Sequence, residues 1–517
     1  MRQKTLLVTF LFLLNACGGG SSPAKPQDNV TANLPVEEPA AAPSISQISF
    51  SAANNSGLAA DLVLNKNGND SVFTGRVLTN TPVSELVASY EFTGSSVTIE
   101  GVVQESGTSI NDFTEIVVYS VANSEGATES YTVDLTKFTG LPIIYLATDG
   151  AVAIDSKETY VTGDVSIDGG RDFTDLPASE MQIRGRGNST WFLHPKKPFQ
   201  MKLEEKAEFL SMANDKKWLF LAEYSDKTLL RNKITFEMGY LSNLDWTPQG
   251  RFAEVYINDQ YNGTYHVTQK VEESDNRVAL GDSGYLLELD QLERLDADDV
   301  YFDSVITERF LINIKEPSLE FGSAEYTYIK DLLDDFETAL YGPSYRSASA
   351  GYARYIDLDS FVDWYLINEI TKNQDSQSWS SMFVNVIPGG KIKMGPLWDF
   401  DLSFGNVDYS DAQYSDGFWV KHHPWYQRLF QDPAFVEKVK IRFAYFKQNQ
   451  NFILNKIDGY ADQLEWAQQE NDDKWRTIGM AVWPNPVVFD TYQKEVDHLK
   501  SWYSHRMEWL ETALGEL

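Results

Sequence analysis

Cysteine occurs once in this chain of 517 residues, at Cys17. A single thiol excludes an intramolecular disulfide and any zinc site built from several cysteines. Histidine is scarce too, and six residues leave little material for a histidine-based metal cluster. Basic side chains are outnumbered: 43 Lys and Arg against 75 Asp and Glu give a net charge of −32 and a sequence pI of about 4.5. That field repels nucleic acid over most of the surface, so a polyanionic ligand needs a local basic pocket. Hydrophobic residues make up 42% and charged residues 23%, ordinary globular usage that argues against wholesale disorder and against a multi-span membrane protein. The length is that of two or three domains at about 150 residues each.

The N-terminus carries an address. Arg2 and Lys4 precede an apolar run from Leu6 to Leu14, then Asn15, Ala16 and Cys17. A basic start, an apolar stretch too short to span a bilayer permanently and a small-residue cleavage site describe an export signal in residues 1–17. Leu14-Asn15-Ala16-Cys17 resembles the bacterial lipobox, which implies that Cys17 is acylated and that the protein is held by a lipid anchor alone. Gly18 rather than Asp after the cysteine favours the outer membrane or cell surface. Residues 18–44, rich in Gly, Ser, Pro, Ala and Asn, read as a flexible tether reaching about 30 Å.

From residue 45 to 136 short alternating runs such as Val97–Val102 and Ile116–Val121, separated by Gly, Asn and Ser clusters, predict an all-β sandwich. Ser106–Thr108, Asn111–Thr114 and Tyr131–Val133 give it a resemblance to immunoglobulin-like modules of bacterial surface proteins. The module shows no catalytic constellation, and a spacer role is the expectation. From 141 to 517 strands alternate with amphipathic helices, an α+β pattern. Helices are predicted over Lys227–Leu241, capped by Ser225 or Asp226 and carrying a surface Lys233–Glu237 pair, over Tyr326–Leu340 and over Ser360–Thr371. Residues after Pro433 read as mostly helical, interrupted near Pro484 and Pro486.

Three segments of this second region could carry chemistry. The first is Arg184-Gly185-Arg186-Gly187-Asn188-Ser189-Thr190-Trp191, followed by the strand Phe199–Leu203. Its backbone N–H groups and guanidinium groups could face an anion. On the strand, Phe199, Met201 and Leu203 share one face and Gln200 and Lys202 the other. The second is Asn373-Gln374-Asp375-Ser376, directly after a helix. The third is Gly395-Pro396-Leu397-Trp398-Asp399-Phe400-Asp401, after a predicted hairpin of Met382–Ile387 and Lys391–Met394. Helix, acidic loop, two strands, acidic loop is the order in which protein kinases place their catalytic-loop Asp and their metal-binding Asp. Asp399 and Asp401, two apart, would project to one side of extended backbone and could chelate Mg²⁺ or Mn²⁺. Two buried acids satisfied by backbone or arginine would leave the same pattern.

Together these segments resemble the spore-coat protein H (CotH) kinase family. Leu229–Lys233, Tyr256–Asn258 with Asn262–Tyr265, and Gly284–Asp290 add to the match. The resemblance implies an atypical protein-kinase-like fold with a helical C-terminal part over 141–517, binding ATP with Mg or Mn and phosphorylating Ser or Thr of surface or secreted proteins. By position it makes Asp375 the catalytic acid, Asp399 and Asp401 metal ligands, and Arg184, Gly185, Arg186, Gly187, Asn188, Ser189 and Lys202 the nucleotide-binding set. The pattern departs from the usual kinase loop at Ser380, five residues after the acid, where an Asn holds a second metal, and at Asn373-Gln374, where His-Arg is usual. Little ATP is expected outside the cytoplasm, so a non-catalytic surface scaffold recognising a protein or glycan stands as the alternative.

Overall fold

The computed structural model describes residues 40–58, 60–66, 71–170, 172–377 and 380–517. The leader, Cys17 and most of the tether lie outside the described residues. The chain divides into two compact units, Met1–Gly75 with Val83–Leu135, and Arg76–Pro82 with Thr136–Leu517. The short insert joins the second unit through its polar ends: Arg76 pairs with Asp168 at 2.7 Å, and the Thr79 amide donates to the Phe138 carbonyl.

The first unit is all-β. A three-stranded sheet of Leu62–Val63, Ser44–Phe50 and Ser89–Thr93 is accompanied by a six-stranded sheet in the order Asn65–Lys66, Val72–Leu78, Thr128–Phe138, Val117–Ala122, Ser96–Ile99 and Val102–Val103. Alternation sends Val117, Tyr119 and Val121 inward, and Tyr119 meets Tyr90 of the smaller sheet edge-on at 5.6 Å. Phe50 and Phe113 pack at right angles, 5.0 Å between centroids.

The second unit begins with a closed barrel. Its strands run in the order Ile143–Thr148, Val161–Asp168, Leu176–Gly185, Phe199–Phe209, Met212–Leu221, Gln260–Gln269 and Gly250–Ile257, the last pairing parallel to the first. Period-2 alternation fills the barrel: Met201 and Leu203 from one strand meet Ile183, Trp218 and Val255 from others. A five-stranded sheet follows, in the order Val300–Asp303, Leu311–Glu316, Tyr285–Asp290, Met382–Val386 and Lys393–Met394. Against it pack the helices Ala324–Tyr341 and Leu358–Thr371, and the C-terminal helices Pro433–Gln448, Gln450–Gln463 and Tyr492–Gly515 extend the same core. Residues 476–491, containing Pro484 and Pro486, break the helical run as expected. Among the described residues no helix is long and apolar enough to cross a membrane.

Two local expectations need correction. The helix predicted from Lys227 starts at Arg231, because the Asp226 carboxylate accepts from the amides of Thr228 and Arg231 and holds the intervening turn out of helix, with Leu229 at φ +62°. The Lys233–Glu237 pair forms, at 3.3 Å, but it is buried, and Glu237 also accepts from the Tyr460 hydroxyl.

Candidate active site

The Leu358–Thr371 helix ends where Lys372 turns left-handed at φ +49°, its amide donating to the Asn368 and Glu369 carbonyls. The chain leaves the helix there and enters a tight turn, Gln374–Gln377, which carries Asp375. The second acidic loop leaves the Lys393–Met394 strand and presents Asp399 at φ +65°, so the extended-backbone argument for Asp399 and Asp401 does not describe their geometry. Both loops are nevertheless fastened together. The Gln374 amide donates to the Leu402 carbonyl, the Phe404 amide to the Thr371 carbonyl, and the Asn373 side chain to the Asp399 carbonyl at 3.2 Å.

This stitching brings three carboxylates into one electrostatic cluster. Burial pushes the Asp375 carboxyl up to about 6, with Asp399 adding to the rise and Arg294 opposing it. Asp401 is pushed well above the usual carboxylate range by burial, then by Asp399, Asp375 and Asp226. None of the three is sealed: each keeps partial solvent exposure. Groups that are accessible yet poorly solvated suit a site that must bind a charged ligand. Ser381 donates to an Asp399 carboxylate oxygen at 3.4 Å, and its own amide donates to Glu288, whose carboxyl burial raises to about 7.

The barrel supplies one cation to this cluster. Burial lowers the Arg186 guanidinium, and Asp399 and Asp401 hold it up; it lies 5.4 Å from the centroid of the Trp398 ring. The rest of its loop is occupied otherwise. Arg184 donates to the Lys157 carbonyl and stacks over Tyr160, and the Asn188 side chain accepts from Lys157. The amides of Gly185 and Arg186 are committed to the Ser156 and Pro198 carbonyls, so they do not face an anion. Gly185 is needed for packing, since a Cβ there would stand 2.3 Å from Trp191. Ser189 opens the short helix Ser189–Leu193, and Gly187 turns before it at φ +80°.

Lys202 is not drawn into the cluster. It projects from the outer face of the barrel, cross-strand from Gln182 and Lys217, and among the described residues no carboxylate pairs with it. The buried lysine of this region is Lys196, which burial depresses to about 7 while Glu254 and Glu223 oppose the fall. Glu223 in turn feels Asp226 and Asp401, accepts from the Asn232 side chain at 3.1 Å, and is raised well above its usual range. Asn232 completes a link that sequence reasoning missed: its side-chain oxygen accepts from the Phe400 amide at 2.7 Å, between the two acids. Arg231 beside it donates to the Ser403 carbonyl. The signal was present in Leu229–Lys233, but nothing in a linear sequence says which loop such a helix start will clasp. Glu237 is engaged by Lys233, Lys456 and Tyr460 and does not pair with Lys202.

Among the described residues no three His, Cys, Asp or Glu side chains are arranged to hold a metal ion. A magnesium ion delivered with a nucleotide requires less, one or two carboxylates plus phosphate oxygens. Asp399 and Asp401, close together and partly exposed, fit that demand. A cavity of about 460 Å³ opens elsewhere, lined by Leu244, Trp246, Val278, Leu280 and Pro396, and includes none of the three acids.

A family model described as CotH kinase protein matches residues 183–510, which contain the acid cluster, Arg186 and Asn232. No curated protein matches the chain. Two solved structures show local likeness only. One, from Bacteroides thetaiotaomicron VPI-5482 and described as a "putative glycoside hydrolase", is 13% identical over 57% of this chain and 88% of its own, with a TM-score of 0.17. The other, a DUF4623 family protein from Bacteroides eggerthii DSM 20697, is 10% identical over 35% of this chain and 53% of its own, with a TM-score of 0.15.

Proposed function

The chain belongs to the CotH kinase protein family, and from that premise we propose that it transfers the terminal phosphoryl group of ATP to Ser or Thr hydroxyls of surface or secreted proteins. The observation that carries this reading is the convergence of Asp375, Asp399 and Asp401, from two loops stitched by backbone hydrogen bonds, with Arg186 beside the second loop. Asp399 and Asp401 would hold Mg²⁺ or Mn²⁺, which supplies charge neutralisation on the nucleotide phosphates. Arg186 adds a fixed guanidinium at the same place, offsetting locally the −32 background. Asp375 orients the acceptor hydroxyl and takes its proton. A carboxyl near 6 remains ionised at neutral pH while being a stronger base than a solvated aspartate.

The same proposal covers the rest of the chain. Residues 1–17 act as an export signal, Cys17 as the acylated anchor point, 18–44 as a tether, 45–136 as an immunoglobulin-like spacer and 141–517 as the kinase-like catalytic domain at the outer membrane or cell surface. A non-catalytic scaffold is the second reading, favoured by two observations: Lys202 lies on the outer face of the barrel strand beside Lys217, and Ser380 replaces the usual second-metal Asn.

The full chain with Mg²⁺ or Mn²⁺ and labelled ATP is expected to label co-exported proteins on Ser or Thr. Its acid limb in kcat/KM is expected near pH 6, where Asp375 loses its proton. Absence of nucleotide binding at millimolar ATP with either metal would favour the scaffold. For the address, Cys17→Ser is expected to release the protein from membranes, and unchanged membrane association would exclude acylation.

A further inference from the structure

We infer that Arg294 is a catalytic residue that neutralises the transferring phosphoryl group, standing where the usual kinase arrangement puts a second metal. The inference rests on the phosphotransfer reading above. The position five residues after Asp375 is Ser380, where the usual loop carries an Asn. The serine hydroxyl is already engaged, for Ser380 Oγ accepts from Arg294 Nη1 at 2.5 Å. Arg294 reaches it from the turn Leu292–Arg294, just beyond the Tyr285–Asp290 strand.

Three further facts place this guanidinium at the reacting end of the cluster. Its charge acts on Asp375 and Asp290, and on Tyr409, which also feels Asp375 and Asp401. The side chain is exposed rather than walled in. Among the described residues no carboxylate forms an ion pair with it, and a guanidinium carries five donors. The cluster thus has one guanidinium beside Asp399 and Asp401, and another beside Asp375. A planar fork matches two phosphoryl oxygens at once, and fixed cations that meet charge developing in the transition state lower the barrier directly.

The step balances with ATP as co-substrate. The acceptor oxygen forms a bond to the γ-phosphorus as the bond from that phosphorus to the β,γ-bridging oxygen breaks. ADP leaves with the bonding pair, and the hydroxyl proton passes to Asp375. Arg294 donates to the non-bridging oxygens throughout and loses no proton.

The test uses the full chain with Mg·ATP and its wild-type acceptor. Arg294→Ala is expected to lower kcat about 100-fold or more, with KM for ATP changed less than about 3-fold, the range seen when an oxyanion donor or arginine finger is removed. Millimolar guanidinium is expected to restore part of that loss, and the acid limb of kcat/KM is expected to move to higher pH once the cation beside Asp375 is gone. Ser380→Ala, which removes only the anchor, is expected to cost less than about 5-fold. Should Arg294→Ala and Ser380→Ala lose activity equally, with no rescue and no shift of the acid limb, Arg294 merely holds the loop and the inference fails. A wild-type kcat in Arg294→Ala, alongside an inactive Asp399→Ala, also overturns it while leaving the kinase reading intact. A wild-type chain that transfers no phosphate removes both.

Discussion

The two units of this chain treat charge in opposite ways. In the first, the buried polar side chains among the described residues are Asn55 and Asn123, and no acid or base joins them in the core. In the second, Asp226, Arg231, Glu254, Asp363, Glu369 and Arg506 are all buried, alongside the partly exposed acids of the cluster. Burying an ion costs several kcal/mol unless it is paired and hydrogen-bonded. The first unit therefore builds its core without the cost of desolvating charge. The second accepts desolvated charge and surrounds it with partners, and the density of such partners rises around the two acidic loops.

The comparison is broken most severely by removing an acid of the cluster. Asp399→Ala is expected to lower phosphate transfer by about 1,000-fold or more while leaving the melting of the first unit unchanged, as read by a transfer assay and calorimetry. Next in size is Arg506→Ala. Arg506 pairs with Glu369 at 2.6 Å, both fully buried, and it also donates to the carbonyls of Ser415 and Gly417. Leaving the buried Glu369 with the Trp419 and Lys421 amides but no cation is expected to destabilise the second unit by about 3–5 kcal/mol in urea unfolding. In the first unit the largest core loss is apolar: Phe113→Ala, which removes the ring packed on Phe50, is expected to cost about 3–4 kcal/mol with no change in transfer rate.

A smaller effect sharpens the contrast through pH. Burial raises Glu288 from an ordinary carboxyl to about 7, so the folded state holds its proton where the unfolded state has lost it. Stability contributed by this group falls as pH rises from about 4.5 to 7 and stays low above that. Glu288→Gln is expected to stabilise the second unit at pH 8 by about 1–2 kcal/mol and to change little at pH 4, measured by urea melts at both values. The smallest effect expected is that of Lys202→Ala. A solvent-facing lysine with no carboxylate partner gives a transfer rate within about 2-fold of wild type; a loss beyond about 10-fold would return Lys202 to the nucleotide site.

Legibility followed the same division. Alternation sufficed for the Phe199–Leu203 strand because one face must be apolar, and Met201 and Leu203 do fill the barrel. The all-β start, the α+β remainder and the order of the two acidic loops were readable from period and turn chemistry. The pairing of loops was not, because it rests on Asn373, Asn232 and Arg231, polar residues whose partners lie between about 25 and 170 positions away. Lys202 stands out in the sequence because it follows a glycine-rich turn on an alternating strand. Lys196 sits before that strand begins, and its burial depends on Thr264 and Asn471, which local sequence does not reveal. The helix boundary at Arg231 was missed for a related reason: Asp226 caps across a non-helical turn rather than from the adjacent position.

The seam between the two acidic loops has a mechanical consequence. Because Thr371, Asn373 and Gln374 are hydrogen-bonded to Phe404, Asp399 and Leu402, the two loops are held to one another. The spacing of the acids is then set by these hydrogen bonds rather than by the barrel that carries Arg186, so a change in the barrel would leave it untouched.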